Sequence, residues 1–484
     1  MRATQRAYAA SVTQVHGDAG DSAYRAHHGP VTATPAFPAR SVLDDEQLGF
    51  ATAQIHAGTE PDAAFGSRIP PIYVSAGFVF DDFEHARDRF AGDDDGYTYS
   101  RVGNPTTSSV ERRLAALEGA AEAIVVASGQ AALSVAFLGI LQAGDHVVSA
   151  SSIYEGSRGL IRDNLGRLGI EVDFVTDAED PDAWRRALRP TTKAIFGEPI
   201  PNPKNDLLDL EAVAAVAHEA GIPFIVDNTL GTPYLLRPIE FGADIVVHSA
   251  SKFLSGHGAA LGGAIVDAGR FDWGARPEAF PHLNSPQRAL GGKSYVEAFG
   301  RAAYAVYARE VVASRFGPTL SPFNAFLLQQ GLETLSLRVA AHSANALAVA
   351  AWLQVQPEVV SVDYSGLASS PYHELAGKYL PRGQGSVFSF TLAGGEDEAR
   401  AFYDALRLFS RMTHLGDVRS LVLHPASTTH TLLTEDERLA AGIGQGLLRL
   451  SIGIEDAEDL IKDLARGLAA VRELRDERLA LAAS

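Results

Sequence analysis

Between residues 123 and 267 short β-branched runs alternate with helix-like stretches, and this alternation leaves few architectures open. AIVVAS (123–128) precedes GQAALSVAFLGILQ, and HVVSAS (146–151) precedes GSRGLIRDNLGRLG. EVDFVT (171–176) leads to AWRRAL, AIFGE (194–198) leads to LDLEAVAAVAHEAG, and PFIVDN (223–228), DIVVHS (244–249) and GGAIVD (262–267) follow. Apolar strands separated by helices predict an α/β fold with a mostly parallel sheet covered by helices. Ligands on such sheets bind beyond the carboxyl ends of the strands. The alternation stops at SRFGPTLSPFN (314–324), after which residues 332–354 read as one long amphipathic helix. GSVFSFTLAG, RSLVLH and LLRLSIGIE then read as strands and EDEARAFYDALRLF as a helix, with a closing helix over 456–475. This pattern predicts a smaller C-terminal α/β domain with an antiparallel sheet. The expected organisation is a disordered tail over 1–45, a large domain over 46–318 and a small domain over 319–484. The tail is rich in Ala, His, Gly and Pro, has no hydrophobic period and lacks the compact apolar stretch of a signal peptide.

Composition narrows the function classes. A net charge of −18 argues against nucleic acid as a partner, because phosphate binding needs a basic face. No apolar run approaches the roughly 18 residues that span a bilayer, so no membrane segment is expected. The absence of cysteine excludes disulfides, thiolate zinc sites and a cysteine nucleophile, and suits a cytoplasmic enzyme; no metal site is expected. The chain has only six lysines (193, 204, 252, 293, 378 and 462), so chemistry that needs a primary amine has few candidates.

Lys252 is the candidate with the most telling position. It follows the strand DIVVHS, beyond a carboxyl end, among small and hydroxyl residues and with Gly256 and Gly258 close behind. A lone lysine is usually a solvated charge, but here its neighbours supply what pyridoxal 5′-phosphate requires: an imine-forming amine, an anion for the pyridine nitrogen, a phosphate cup and a ring cover. Asp227, ending the preceding strand, is the anion candidate; alone it would read as a cap. Ser128, Gly129 and Gln130 stand where a strand turns into a helix, and free N–H groups at such a helix end suit a dianion. Ser249 and Ser251 could add hydroxyl donors. Tyr154, past the strand HVVSAS, is the candidate cover. No G-x-G-x-x-G follows the early strands, which leaves a dinucleotide-dependent oxidoreductase with little support.

The motifs YTYSRVGNPT (97–106), LEGA…ASGQAA (117–132), SIYEGS (152–157), EPIPNP (198–203), VDNT…P (226–233), GADIVVHSASKFLSGH (242–257), SLVLHPASTTH (420–430) and RLSIGIED (449–456) together resemble the Cys/Met-metabolism family of fold-type-I pyridoxal-phosphate enzymes. The resemblance extends from about residue 50 to about 475. It implies that Lys252 tethers the cofactor and later carries protons at the substrate α-carbon, that Asp227 pairs with the ring nitrogen, and that Tyr154 stacks on the ring and serves as an acid/base. It implies that Gly129, Gln130, Ser249 and Ser251 hold the phosphate, with Ser128 and Thr229 in the same cofactor site. Tyr99 and Arg101 would reach the phosphate of a neighbouring subunit, so a homo-oligomer with shared sites is expected, a dimer or a tetramer. Arg449 would grip a substrate α-carboxylate, with Ser420 and Asn202 beside it.

Within the family, GDVRSLVLHPASTTH (416–430) and SPFNAFLLQQGLETLSLR (321–338) are most similar to the O-acetylhomoserine sulfhydrylases, with Arg419 as the discriminating residue. The implied reaction exchanges the acetyl group of O-acetyl-L-homoserine for sulfide or a thiol. A γ- or β-lyase, or a cystathionine γ-synthase, is the alternative on the same scaffold. Phe253 and Ser255 stand where the resemblance would place tyrosine and glycine.

Overall fold

Strands β1 (Glu122–Val126), β2 (His146–Ala150), β3 (Glu171–Val175), β4 (Thr192–Gly197), β5 (Phe224–Asp227), β6 (Ile245–His248) and β7 (Gly263–Asp267) form one sheet in the computed structural model, in the order β1-β7-β6-β5-β4-β2-β3. The structure describes residues 48–483 apart from 63 and 432, so the expected tail over 1–45 lies outside the described residues. β6, β5, β4, β2 and β3 pair in parallel, and all but the edge strand β3 are buried, as the continuous apolar runs require. β7 runs antiparallel to both neighbours, because the chain returns from β6 through the loop that carries Lys252, with no crossover helix. Strand order reverses between β2 and β4, which opens a crevice beyond their carboxyl ends.

The second sheet contains β8 (Val359–Asp363), β9 (Val387–Leu392), β10 (Ser410–Arg411), β11 (Leu421–Leu423) and β12 (Leu447–Ser451), in the order β10-β11-β12-β9-β8. Its pairs are antiparallel except β10 with β11. β8 and β10 are absent from the sequence reading. The first is a largely uncovered edge strand and the second only two residues long, so neither carries an alternating apolar signal. Arg449 lies on central β12, opposite Ser389 of β9 and Leu423 of β11.

The long helix expected over 332–354 runs Leu335–Gln354, and residues 332 and 333 end a separate helix, Pro322–Glu333, divided from it at Thr334 (φ −119°, ψ 13°). At the break the Gly331 carbonyl accepts from the Arg338 guanidinium (2.6 Å), a contact that hydrophobic periodicity does not register. Gly331 backs so tightly onto the lysine loop that a Cβ there would lie 2.3 Å from the Leu254 carbonyl oxygen. The closing helix runs Ala457–Ala483, longer than expected. Two apolar cores result. Ala325, Leu328 and Leu332, beyond residue 318, belong to the larger core, and the two cores meet within Leu335–Gln354, whose Val339 lies in the larger and whose Ala346, Val349 and Leu353 lie in the smaller. Among the described residues no helix is long and apolar enough to cross a membrane.

The segment before the first sheet strand is fastened at Asn104. This fully buried residue caps the helix Pro105–Glu118 by accepting from Thr106 N, and its amide donates to Tyr73 O (2.8 Å) and Ser100 Oγ (3.0 Å). Asn104→Ala removes both functions and is expected to lower unfolding free energy by about 1–2 kcal/mol; an unchanged denaturant midpoint would show that the cap is dispensable.

Candidate active site

The loop after β6 folds back on itself. Lys252 N donates to Ser249 O (3.1 Å), Gly256 N donates to Lys252 O (2.8 Å), and the Ser251 hydroxyl is closed against Gly262, donating to its carbonyl (3.1 Å) and accepting from its N–H (3.0 Å). The Lys252 amine is thereby held in a mostly enclosed position, 3.1 Å from Nδ1 of His414. Burial, and then the Arg449 charge, lower the Lys252 pKa to about 8 from its ordinary 10.5. With six lysines in the chain, ε-labelled lysine NMR of the cofactor-free protein is expected to show one amine turning neutral near pH 8, absent from Lys252→Arg. A Lys252 signal that titrates with the other lysines would contradict this geometry.

The expected phosphate cup lies against the lysine loop. Ser128 caps the helix Gly129–Leu138, its hydroxyl accepting from Ala131 N (3.2 Å), and no described residue accepts from the N–H groups of Gly129 or Gln130. Glycine is required at 129, since a Cβ there would sit 2.7 Å from Ser249 Cβ. Gln130 and the half-exposed Tyr154 meet over Gly156, where a Cβ would lie 2.9 Å from the Gln130 amide nitrogen and 2.4 Å from the Tyr154 ring. Asp227 ends β5 with its Oδ1 accepting from Thr229 N (3.0 Å) and Thr229 Oγ1 (2.5 Å). Burial pushes its carboxyl up, and the two Thr229 bonds oppose the shift. The same Thr229 hydroxyl accepts from Ser249 N (2.8 Å), so one residue ties the aspartate to the lysine loop.

Glu198, which the sequence reading passed over, stands at the carboxyl end of β4 as Asp227 does at that of β5. It is 4% exposed, and its Oε1 accepts from Tyr154 N (2.7 Å) across the β2/β4 crevice. Burial, with Asp227 beside it, raises its carboxyl well above the usual range. His414 was also passed over, because 162 residues separate it from Lys252 and nothing local marks it. On the small-domain side Arg449 is 4% exposed and its Nη2 donates to the carbonyls of Thr413 and His414 (3.1 Å each), while its buried Nε has no hydrogen-bond partner among the described residues. Asn202 Oδ1 is likewise buried and unpartnered.

Other expected site residues are engaged elsewhere. The Ser420 hydroxyl donates to Glu455 (2.9 Å) and accepts from Gly453 N (2.8 Å), so it braces the 453–455 turn. The Ser251 hydroxyl is taken up by Gly262, as described above. Arg419 has a side chain 63% exposed, and its guanidinium bonds the buried Asp417 (2.9 Å) and the His257 carbonyl (3.4 Å). Tyr99 and Arg101 lie together, the guanidinium 5.5 Å over the ring and bonded to Ser314 O, and among the described residues no hydrogen bond joins either to the lysine loop, Asp227 or the cup.

The sequence matches the Cys/Met metabolism PLP-dependent enzyme family over residues 51–469. The chain belongs to this family. It is 46% identical over 429 residues to the O-acetyl-L-homoserine sulfhydrylase of Corynebacterium glutamicum, covering 88% of this chain and 98% of that protein. It is 46% identical over 424 residues to the homocysteine synthase of Schizosaccharomyces pombe, covering 87% and 99%. Among solved structures, a Campylobacter jejuni protein carrying an N′-pyridoxyl-lysine-5′-monophosphate superposes with a TM-score of 0.82 at 36% identity, over 87% of this chain and all of that one. The cystathionine γ-synthase of Xanthomonas oryzae superposes with a TM-score of 0.76 at 36% identity, over 88% and all.

The residues present fit the family's cofactor. Among the described residues the Asp227 carboxylate has no ion-pair partner, an amine of lowered pKa lies one strand away, and two uncapped N–H groups open the helix Gly129–Leu138. Each is an incomplete arrangement on its own, and together they complement a pyridinium, an aldehyde and a phosphate.

Proposed function

We propose that this enzyme catalyses γ-replacement on O-acetyl-L-homoserine: sulfide or a thiol takes the place of acetate at Cγ, giving L-homocysteine or L-methionine and acetate. The observation that carries this reading is similarity, over nearly the whole length, to an O-acetyl-L-homoserine sulfhydrylase, 46% identical over 98% of that protein. Bound pyridoxal phosphate supplies an electron sink for the substrate α-carbon. Lys252 would tether it and, once displaced by the substrate amine, take the α-proton, a role that suits an amine with a pKa of about 8. Asp227 would hold the ring nitrogen, the Gly129 and Gln130 N–H groups with Ser249 the phosphate, and Arg449 the α-carboxylate, near Asn202. Tyr154, anchored by Glu198, would cover the ring and exchange a proton near the leaving group.

Tyr99 and Arg101 would act in a second copy's site. Their segment exposes Val74, Val79 and Phe83 (64%, 89% and 77%), an apolar surface suited to burial against another copy of the chain. We take the assembly as a dimer with shared sites, or a tetramer built from such dimers, working in the cytoplasm. The test is to incubate the holoenzyme with O-acetyl-L-homoserine, with and without sulfide, and to measure acetate, homocysteine and 2-oxobutanoate. Sulfide-dependent homocysteine formation matched by acetate is expected. Release of 2-oxobutanoate and ammonia irrespective of sulfide would replace this reading with a γ-lyase.

A further inference from the structure

A cavity of about 500 Å³ opens at the amino-terminal edge of β5 and β6, at the far end of the sheet from the lysine loop. His218, Glu240, Asp244, Arg270, Phe271 and Asp272 border it. Asp244 immediately precedes β6 and the Lys252 loop follows it, so a four-residue strand, roughly 13 Å long, lies between the two. β7 runs antiparallel to β6 and returns the chain to the same edge, which brings Arg270, Phe271 and Asp272 beside Asp244. No role in the reaction described above falls to any of these groups.

The charged groups around the cavity keep unused bonding capacity. Asp244 is 5% exposed, and its Oδ2 accepts from His218 Nε2 (2.9 Å) and Phe224 N (2.9 Å), while its Oδ1 accepts from no described residue. Arg270 is exposed and makes one long hydrogen bond, from Nη1 to the Ile239 carbonyl (3.4 Å). Among the described residues no carboxylate pairs with it, although Glu240 and Asp272 border the same cavity. Asp272 Oδ1 accepts from Gly274 N (3.0 Å), and Glu240 lies 3.4 Å from Arg237. The Phe271 ring is held against Trp273, with centroids 4.6 Å apart, and gives the cavity a fixed apolar wall. A simple anion here would meet three carboxylates, and a simple cation would meet the guanidinium. A small molecule that carries both charges and an apolar group complements all three features.

We propose that this cavity binds a free α-amino acid with an apolar side chain, its carboxylate on the Arg270 guanidinium, its ammonium on Asp244 Oδ1 and its side chain against Phe271. Glu240 and Asp272 add negative potential on the ammonium side. The site is separate from the lysine loop and stands whatever reaction that loop supports.

The test is equilibrium dialysis of labelled L-leucine against holoenzyme whose cofactor has been fixed by borohydride, so that the ligand amine cannot form an imine with it. One equivalent per chain is expected to bind. Arg270→Ala is expected to weaken binding about 10–100-fold, the value of a hydrogen bond to a charged group, and to leave turnover and the thermal midpoint unchanged, since Arg270 is exposed and makes only one long bond. Isopentylamine and isocaproate, each lacking one charged end of leucine, are expected to compete at least about tenfold more weakly than leucine itself. Leucine binding that ignores Arg270→Ala would place the ligand elsewhere and overturn the proposal. Isopentylamine competing as well as leucine would reduce the cavity to a cation site, and isocaproate doing so would reduce it to an anion site; either result overturns the amino-acid assignment, as does the absence of leucine binding.

Discussion

Lys252→Ala is expected to abolish covalent attachment of pyridoxal phosphate and to lower turnover by at least ~10²–10⁴-fold, the range that a positioned proton-transfer group contributes. The effect does not rest on folding. The Lys252 side chain beyond Cβ makes one hydrogen bond, to His414 Nδ1, and the surrounding loop is closed by backbone contacts and by Ser251 with Gly262. Removing a buried amine also relieves the desolvation that depresses its pKa, so stability should hold or rise. The measurement is borohydride reduction followed by peptide mapping. Wild-type protein should carry a pyridoxyl group on the peptide containing Lys252, and Lys252→Ala should carry none on any of the five remaining lysines. A reduced cofactor retained on Lys204 or Lys293 would remove Lys252 from the chemistry altogether.

The parts of this site that could be read from sequence are those fixed by strand ends. Lys252, Asp227 and Ser128 each follow a short apolar run, and a parallel sheet gathers all such positions on one rim. Glu198 obeys the same rule at the end of β4 and was available to the same reasoning. Nothing in EPIPNP itself separates that glutamate from an ordinary loop residue before proline. His414 is different in kind. Its meaning depends on Gly416 yielding to the Phe253 ring and on Arg449 reaching the 413–414 carbonyls, contacts that no period in the sequence encodes. The same limit accounts for hydroxyls assigned by motif alone: Ser251 and Ser420 are bonded to Gly262 and Glu455, respectively. The start of the long helix at Leu335 is equally hidden, because the break before it goes with the Arg338 guanidinium bonding the Gly331 carbonyl.

Asp227→Asn is expected to be nearly as damaging as loss of the lysine, whereas Glu198→Gln should be tolerated, although the two carboxyls are neighbours. β4 pairs Gly197 with Val226 of β5, so one residue on, Glu198 and Asp227 stand side by side on the same face. Two carboxylates so placed, Glu198 buried and Asp227 half-buried, cannot both ionise cheaply. The hydrogen bonds decide which does. Asp227 accepts twice from Thr229, which favours its charged form, while Glu198 accepts once, from Tyr154 N, and is pushed well up by burial and by Asp227. The charge therefore resides on Asp227, opposite the place of the pyridine nitrogen, and Glu198 serves as a neutral acceptor that fixes Tyr154. An asparagine at 227 cannot compensate a protonated ring, and losing one member of a buried ion pair costs about 3–5 kcal/mol, or ~10²–10⁴-fold in kcat/KM. A glutamine at 198 keeps both neutrality and the carbonyl that accepts from Tyr154, so its effect should stay below about 1 kcal/mol. Glu198→Ala, which orphans the buried Tyr154 N–H, should fall between them at about 1–3 kcal/mol. These rankings are read from kcat/KM together with the absorbance of the bound cofactor. If Glu198→Gln proved as harmful as Asp227→Asn, the negative charge would belong to the β4 carboxylate, and the ring would have to be placed over β4 rather than β5.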